Sequence, residues 1–231
     1  MKKLLNRLFV FLIILGLFSY PLSLYLSKRY NTYSKQSWIL NIENNDYDYA
    51  VLGSSRVENI VNINTIDSIC KTEGINLGTS GGNYSKKYFF LNQFLKKNKI
   101  NNLILNVDEF SFNSENSFSY PFHTYNFLPL LESSEYNEVF KDNLNIFKYY
   151  TYKLFPISKY IEFNDRYILK QYYNVKYDIT KGSDIEIHQK SNLDTSKSIR
   201  RQNIINKKDV KYFNKILNLC DIMDVNIIFI T

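Results

Sequence analysis

Residues 47–56 read YDYAVLGSSR, a short apolar and aromatic run that stops at Gly53 and continues into two serines and an arginine. A run of this kind, bounded by a turn residue, is typical of a β-strand over residues 47–52. Helical spacing follows over residues 60–72, where the apolar positions recur three and four residues apart. The stretch therefore predicts a strand, a tight turn that carries serine, and then a helix.

The same alternation continues along the chain. Residues 75–77, 103–107 and 225–230 are short apolar runs that predict strands, while residues 84–98 and 208–223 have the spacing of amphipathic helices. Alternating strands and helices with apolar strands predict an α/β fold, with a parallel sheet between two layers of helices. We therefore expect a three-layer α/β/α domain of the flavodoxin-like kind.

The domain organisation follows from where this rhythm starts and breaks. We predict an N-terminal anchor over residues 1–29, a connector that is helical in part over residues 30–46, and an α/β domain over residues 47–231. Residues 109–205 are rich in Phe, Tyr, Ser and Asn, contain three prolines and lack the alternation, so they predict an insertion. The chain stops at its last predicted strand, which favours a sequence truncated at its C-terminus.

The N-terminal segment predicts membrane anchoring. Residues 8–26 contain no charge and approach the ~20 residues that a bilayer-spanning helix needs. No small-x-small cleavage site follows, which favours an uncleaved signal anchor over a cleaved signal peptide. Lys2, Lys3 and Arg7 precede the segment and favour a cytoplasmic N-terminus. We therefore expect a single-pass protein of the cell membrane whose globular domain is extracytoplasmic.

Charge and cysteine content narrow the possible partners. The formal net charge is +7, but the lysines are scattered and interspersed with acidic residues. This favours a solvated surface near an anionic bilayer over a nucleic-acid partner, for which no motif is present. Cys70 and Cys220 lack metal-ligand spacing and predict two buried, unpaired thiols. No metal site and no cofactor are predicted.

Three polar blocks end three successive predicted strands, where open α/β sheets bind ligands. The first, residues 53–56, can expose a serine hydroxyl in its turn, or its serine caps the following helix. The second, residues 76–82, has glycines that let a backbone N–H approach a substrate oxygen, although a plain turn or a phosphate loop fits too. The third, residues 106–109, offers the Asn106 amide as a donor, or is simply a polar strand end.

Together the three blocks resemble the SGNH/GDSL hydrolase superfamily, in order and placement, over residues 48–110. The Gly-Ser-Ser block is similar to that of its membrane-anchored members, which include D-alanyl-lipoteichoic-acid biosynthesis proteins and proteins encoded with membrane-bound O-acyltransferases. The resemblance implies that Ser55 is the nucleophile. It also implies an oxyanion hole formed by the Ser55 N–H, the Gly78 N–H and the Asn106 side chain.

The resemblance further implies an esterase or acyltransferase that acts on a cell-envelope glycan or teichoic-acid-like polymer, with a membrane-bound O-acyltransferase as partner. Two departures stand against it. The third block reads Asn-Val-Asp-Glu where the family has Gly-x-Asn-Asp, and the catalytic Asp-x-x-His is missing. His123 and His188 lie in the insertion, where surface or structural roles are expected.

Three hypotheses remain for the function. If the sequence continues past Thr231 and supplies the missing base, the protein is an enzyme of this type. If it does not, the protein is a non-catalytic envelope protein that binds or assembles with an acyltransferase system. Nucleotide binding at the Gly78–Gly82 loop is a third, weaker hypothesis, because no Walker or dinucleotide motif is present.

Overall fold

The computed structural model describes residues 2–30, 35–80, 83–112, 134, 137–158, 177–183 and 205–231. Backbone contacts divide the chain into two compact units. The first unit comprises Met1–Trp38 and Phe118–Asn174, and the second comprises Ile39–Ser117 and Val175–Thr231. The second unit contains the whole β-sheet and is called the α/β unit below.

The described elements follow one another along the chain as helices and parallel strands. In chain order they are α1 Lys2–Tyr30, α2 Lys35–Asn41, β1 Asp46–Leu52, α3 Ser55–Ile60, α4 Ile63–Cys70, β2 Gly74–Asn76, α5 Tyr84–Leu95, β3 Lys99–Asn106, α6 Glu109–Phe112, α7 Asn137–Asn143, α8 Ile146–Leu154, α9 Lys207–Ile222 and β4 Asn226–Ile230.

Helix α1 is the long apolar element of the first unit. Its residues Lys2–Tyr25 are long and apolar enough to cross a membrane, judged by length and composition. Most of its large apolar side chains face outward, whereas Ser19 and Ser23, one helical turn apart, are buried. The outward apolar surface is what a lipid-facing helix requires.

The sheet has four parallel strands in the order β2-β1-β3-β4. Leu52 at the end of β1 pairs with Leu105 of β3, and Val51 pairs with Asn76 at the end of β2. The carboxyl ends of the three strands therefore meet at one edge. The strand order reverses between β1 and β3, because β2 was added on one side of β1 and β3 and β4 lie on the other. In open α/β sheets ligands bind at such a switch point.

Most predicted elements are confirmed, and the differences have local causes. The parallel sheet with helices confirms the predicted α/β class. The helix predicted over residues 60–72 is the shorter α4, and a separate short helix, α3, precedes it. They are separated because Val61 and Asn62 are extended and the Asn62 side chain accepts a hydrogen bond from the Thr65 N–H. The predicted burial of Cys70 is wrong, since only Cys220 is buried.

Helix α5 is buried on nearly all sides, so it is not the amphipathic helix that its spacing predicts. Its largest apolar side chains are enclosed, and so are Lys86 and Lys87 near its start. These two lysines contradict the expectation that the lysines form a solvated surface. Helix α5 packs against α9, and an aromatic group formed by Tyr84, Phe112 and Phe213 lies at one end of that contact.

Part of the predicted insertion returns to the sheet. Residues 177–183 lie beside β2, where the Lys181 carbonyl accepts a hydrogen bond from the Asn76 N–H at 2.9 Å. The Lys181 ammonium also pairs with Asp67 of α4 at 2.7 Å, and the Ser183 hydroxyl accepts from the Ile63 N–H. This segment therefore satisfies an edge that β2 would otherwise leave open.

Candidate functional site

The turn after β1 is built around Gly53. A Cβ atom at this position would come within 2.8 Å of Val57 Cβ and within 3.0 Å of Asn106 Cβ, and would overlap Val57 Cγ2. Only glycine fits, because the first turn of α3 lies on one side and the end of β3 on the other. The close approach brings the serine turn against Asn106.

Ser54 and Ser55 occupy the start of α3. Ser54 is the N-cap residue, but its side chain makes no capping hydrogen bond, so the alternative capping role is not observed. Ser55 is the first residue of the helix and is partly exposed. Among the described residues its hydroxyl has no hydrogen-bond partner, which leaves the oxygen open to an incoming group.

The loop after β2 is attached to the same turn. The Thr79 N–H donates to the Gly53 carbonyl at 3.1 Å, so the two loops run side by side. The Gly78 N–H donates to Asn76 Oδ1 at 2.9 Å, and the Asn76 amide donates to the carbonyls of Val57 and Val61. An oxyanion role for the Gly78 N–H would therefore require this internal hydrogen bond to be shared or broken.

A buried carboxylate and a buried ammonium hold Ser80 in this loop. Glu58 of α3 accepts hydrogen bonds from the Ser80 N–H at 2.7 Å and from its hydroxyl at 2.6 Å. Lys86 of α5 donates to the Ser80 carbonyl at 2.7 Å. Because charge-assisted hydrogen bonds are the stronger kind, the loop is tied to two helices at once.

Asn106 is the last residue of β3. Its Oδ1 atom is buried without a hydrogen-bond partner. Strand β3 ends here, so Asp108 lies beyond the strand. Asp108 instead accepts from the Ser111 N–H and hydroxyl, at 2.8 and 2.9 Å, and so holds the first turn of α6.

Lys87 is the residue that sequence reasoning missed. Its side chain is fully enclosed and donates to the Ser111 hydroxyl at 2.7 Å and to the Asn106 carbonyl at 3.3 Å. Asp108 Oδ2 lies 3.9 Å from the ammonium. Burial lowers the pKa of Lys87 to about 8, while the negative charges of Asp108 and Asp209 act in the opposite direction and raise it. The only sequence signal was a pair of lysines next to an apolar, aromatic helix.

The structure thus brings the three blocks predicted from sequence to one edge of the sheet. A hydrogen bond joins the turn that leads into Ser55 to the loop that contains Gly78, and Asn106 packs against Gly53. His123 and His188 lie outside the described residues. Within the described ranges, no group of three or more His, Cys, Asp and Glu side chains is arranged to hold a metal ion.

Comparisons with protein-family models, curated proteins and solved structures find no match for this chain. The function therefore has to be argued from the site itself. A free serine hydroxyl in a strand-to-helix turn, with an unpaired amide nearby, is suited to nucleophilic attack on a carbonyl carbon.

Proposed function

We propose that this chain is a membrane-anchored serine esterase or acyltransferase of the SGNH type. It acts on acyl groups of a cell-envelope polysaccharide or teichoic-acid-like polymer. The observation that carries the proposal is the position of Ser55 at the β1/β3 switch point. Its hydroxyl has no hydrogen-bond partner among the described residues. We also propose that the α/β unit is a three-layer domain and that α1 spans the membrane, which leaves the domain on the extracytoplasmic side.

The reaction divides into two acyl transfers. The Ser55 oxygen attacks the acyl carbonyl carbon and its proton passes to a base. The tetrahedral intermediate then collapses, forming an acyl-Ser55 ester and releasing the donor alcohol with a proton. Water or a polymer hydroxyl attacks this ester in the second transfer and regenerates Ser55. An enzyme of this kind needs such a base, and we assign none of the described residues to that role.

Negative charge on the carbonyl oxygen needs donors placed beforehand. The donors that we assign are the Ser55 N–H, in the first turn of α3, and the Asn106 amide nitrogen, at the end of β3. Gly78 is the third donor implied by the family resemblance, and it would have to give up its hydrogen bond to Asn76. The assigned oxyanion hole therefore rests mainly on Ser55 and Asn106.

The site is tested by serine-directed labelling and by ester hydrolysis. The full chain is treated with a fluorophosphonate probe and assayed with short p-nitrophenyl esters, next to the variants Ser55→Ala and Ser54→Ala. We expect Ser55→Ala to lose labelling and about 10³-fold or more in kcat/KM, while Ser54→Ala retains both. Equal labelling of Ser55→Ala and the wild type would refute Ser55 as the nucleophile.

A non-catalytic binding role is the second candidate, and one observation favours it. The Gly78 N–H, which an oxyanion hole of this family would use, is already bonded within its own loop. In that case the chain is a non-catalytic envelope protein, and the same edge of the sheet binds or assembles with a membrane acyltransferase system. A wild-type chain that folds, binds a membrane-bound O-acyltransferase and shows neither labelling nor hydrolysis would support this candidate over the enzyme.

A further inference from the structure

Helix α8 presents an apolar face to solvent. Phe147 and Leu154 are 81% and 70% exposed, and Ile146 and Tyr150 are about half exposed. At about 100° per residue these four side chains fall within one arc of about 100° on the helix. An exposed apolar face of this width, on a helix that already has a buried side, indicates that something covers it.

The other side of α8 is also apolar. Tyr149 and Tyr152 are buried and point away from the exposed arc. Lys148 and Lys153 lie between the two faces, with their ammonium groups 5.7 Å from the Tyr152 ring and 5.9 Å from the Tyr149 ring. Residues 143–158 contain no acidic side chain. The helix is therefore cationic at the borders of an outward apolar face.

This pattern matches a lipid surface better than a protein groove. Interfacial helices bury an apolar face at the level of the headgroups and place lysines where they reach anionic phosphates. In the described part of the first unit, every exposed large apolar side chain lies on α1 or on α8. With nine residues, α8 is about 14 Å long and too short to span a bilayer.

We propose that α8 is a second membrane contact, an interfacial helix that binds the surface of an anionic bilayer. The apolar arc enters the headgroup region, and Lys148 and Lys153 meet the lipid phosphates. This inference rests on the proposed membrane anchoring by α1 and does not depend on Ser55. Its function is to hold the first unit against the membrane in addition to the single span.

The experiment measures the depth of two neighbouring positions on α8. The full chain, with Cys70 replaced by serine, is reconstituted in phosphatidylglycerol-containing nanodiscs with an NBD fluorophore on Tyr150→Cys or on the matched control Thr151→Cys. Cys220 labels slowly, because it is buried and burial raises its pKa to about 11. Thr151 is exposed and lies about 100° around the helix from Tyr150.

Doxyl lipids quench fluorophores that enter the bilayer. We expect the probe on Tyr150→Cys to emit at shorter wavelength and to lose more of its emission than the probe on Thr151→Cys. The difference should shrink in phosphatidylcholine discs and in the double variant Lys148→Gln/Lys153→Gln. Ile146→Cys gives an independent repeat of the result at Tyr150→Cys.

The outcomes separate this inference from the proposals on which it rests. If the chain does not co-elute with the discs, both the span and the interfacial helix are refuted. If it co-elutes but the two probes are quenched alike, α8 does not lie on the lipid and its apolar face binds protein instead. If the quenching is the same without phosphatidylglycerol and in the double lysine variant, the claim that α8 binds an anionic surface is wrong.

Discussion

Asn76 is the side chain whose removal should damage the candidate site most. It is fully buried at the end of β2 and joins three elements through its amide. The nitrogen donates to the carbonyls of Val57 at 2.9 Å and Val61 at 3.2 Å, and the oxygen accepts from the Gly78 N–H at 2.9 Å. These bonds join α3 and the residue that follows it to the loop after β2.

The cost of Asn76→Ala follows from these three hydrogen bonds. Each contributes about 0.5–1.5 kcal/mol net, and the bonds to the Val57 carbonyl and from the Gly78 N–H are buried, so water does not replace them freely. We therefore expect the free energy of unfolding to fall by about 3 kcal/mol. For a chain of this size that corresponds to a Tm lower by about 6–12 °C.

The matched control is Asn102→Ala. Asn102 also uses its amide to bond a carbonyl, that of Asp48 at 2.9 Å, but this bond is exposed and water can replace it. We expect a change of about 0.5 kcal/mol or less. Thermal unfolding of the two variants, followed by circular dichroism in the same detergent, makes the comparison. If Asn76→Ala and Asn102→Ala unfold within about 1 kcal/mol of each other, the bracing role given to Asn76 is wrong.

Two further substitutions test the packing and the charge of the site. Gly53→Ala should lower stability by about 1–3 kcal/mol because its methyl group collides with Val57, whereas Gly16→Ala, with open space around it, should change stability little; a calorimetric Tm decides. The lowered pKa of Lys87, about 8 against the usual 10.5, means that the unfolded chain binds this proton more tightly. Wild-type stability should therefore rise between pH 8 and 10 by up to about 1.4 kcal/mol per pH unit from this group. Urea unfolding should show that Lys87→Met loses this rise and that Lys97→Met, a change at an exposed lysine, keeps it. If the rise persists in Lys87→Met, the buried Lys87 ammonium is not its cause.

The sheet was predictable because its strands are short apolar runs that end in glycine or polar residues. The apolar residues 47–52 and 225–230 lie within β1 and β4, apart from Val225 just before β4. The start of β3 was missed, since Lys99, Asn101 and Asn102 look like a polar loop. Lys99 and Asn102 pair with β1 through their backbone, and the side chains of Lys99 and Asn101 remain exposed, so the apolar pattern begins only further along the strand.

The bracing of the site was not predictable from local patterns. Lys86 and Lys87 are buried because the carbonyls of Ser80 and Asn106, from two different loops, converge on the start of α5. The bond that engages the Gly78 N–H depends on how the Asn76 side chain folds back over its own loop. Such contacts join residues that are distant in sequence, or depend on one rotamer, and neither is visible as periodicity.

The most direct test of the central claim is to locate the acyl group on the protein. The full chain is mixed with p-nitrophenyl acetate, quenched in acid and digested with trypsin, which should release residues 36–56 as one peptide containing Ser37, Ser54 and Ser55. Fragmentation of this peptide by mass spectrometry then assigns the modified serine. The account predicts acetyl on Ser55 alone, and none on this peptide in Ser55→Ala. Acetyl on Ser54 or Ser37, or an unmodified peptide while ester hydrolysis proceeds, would contradict it.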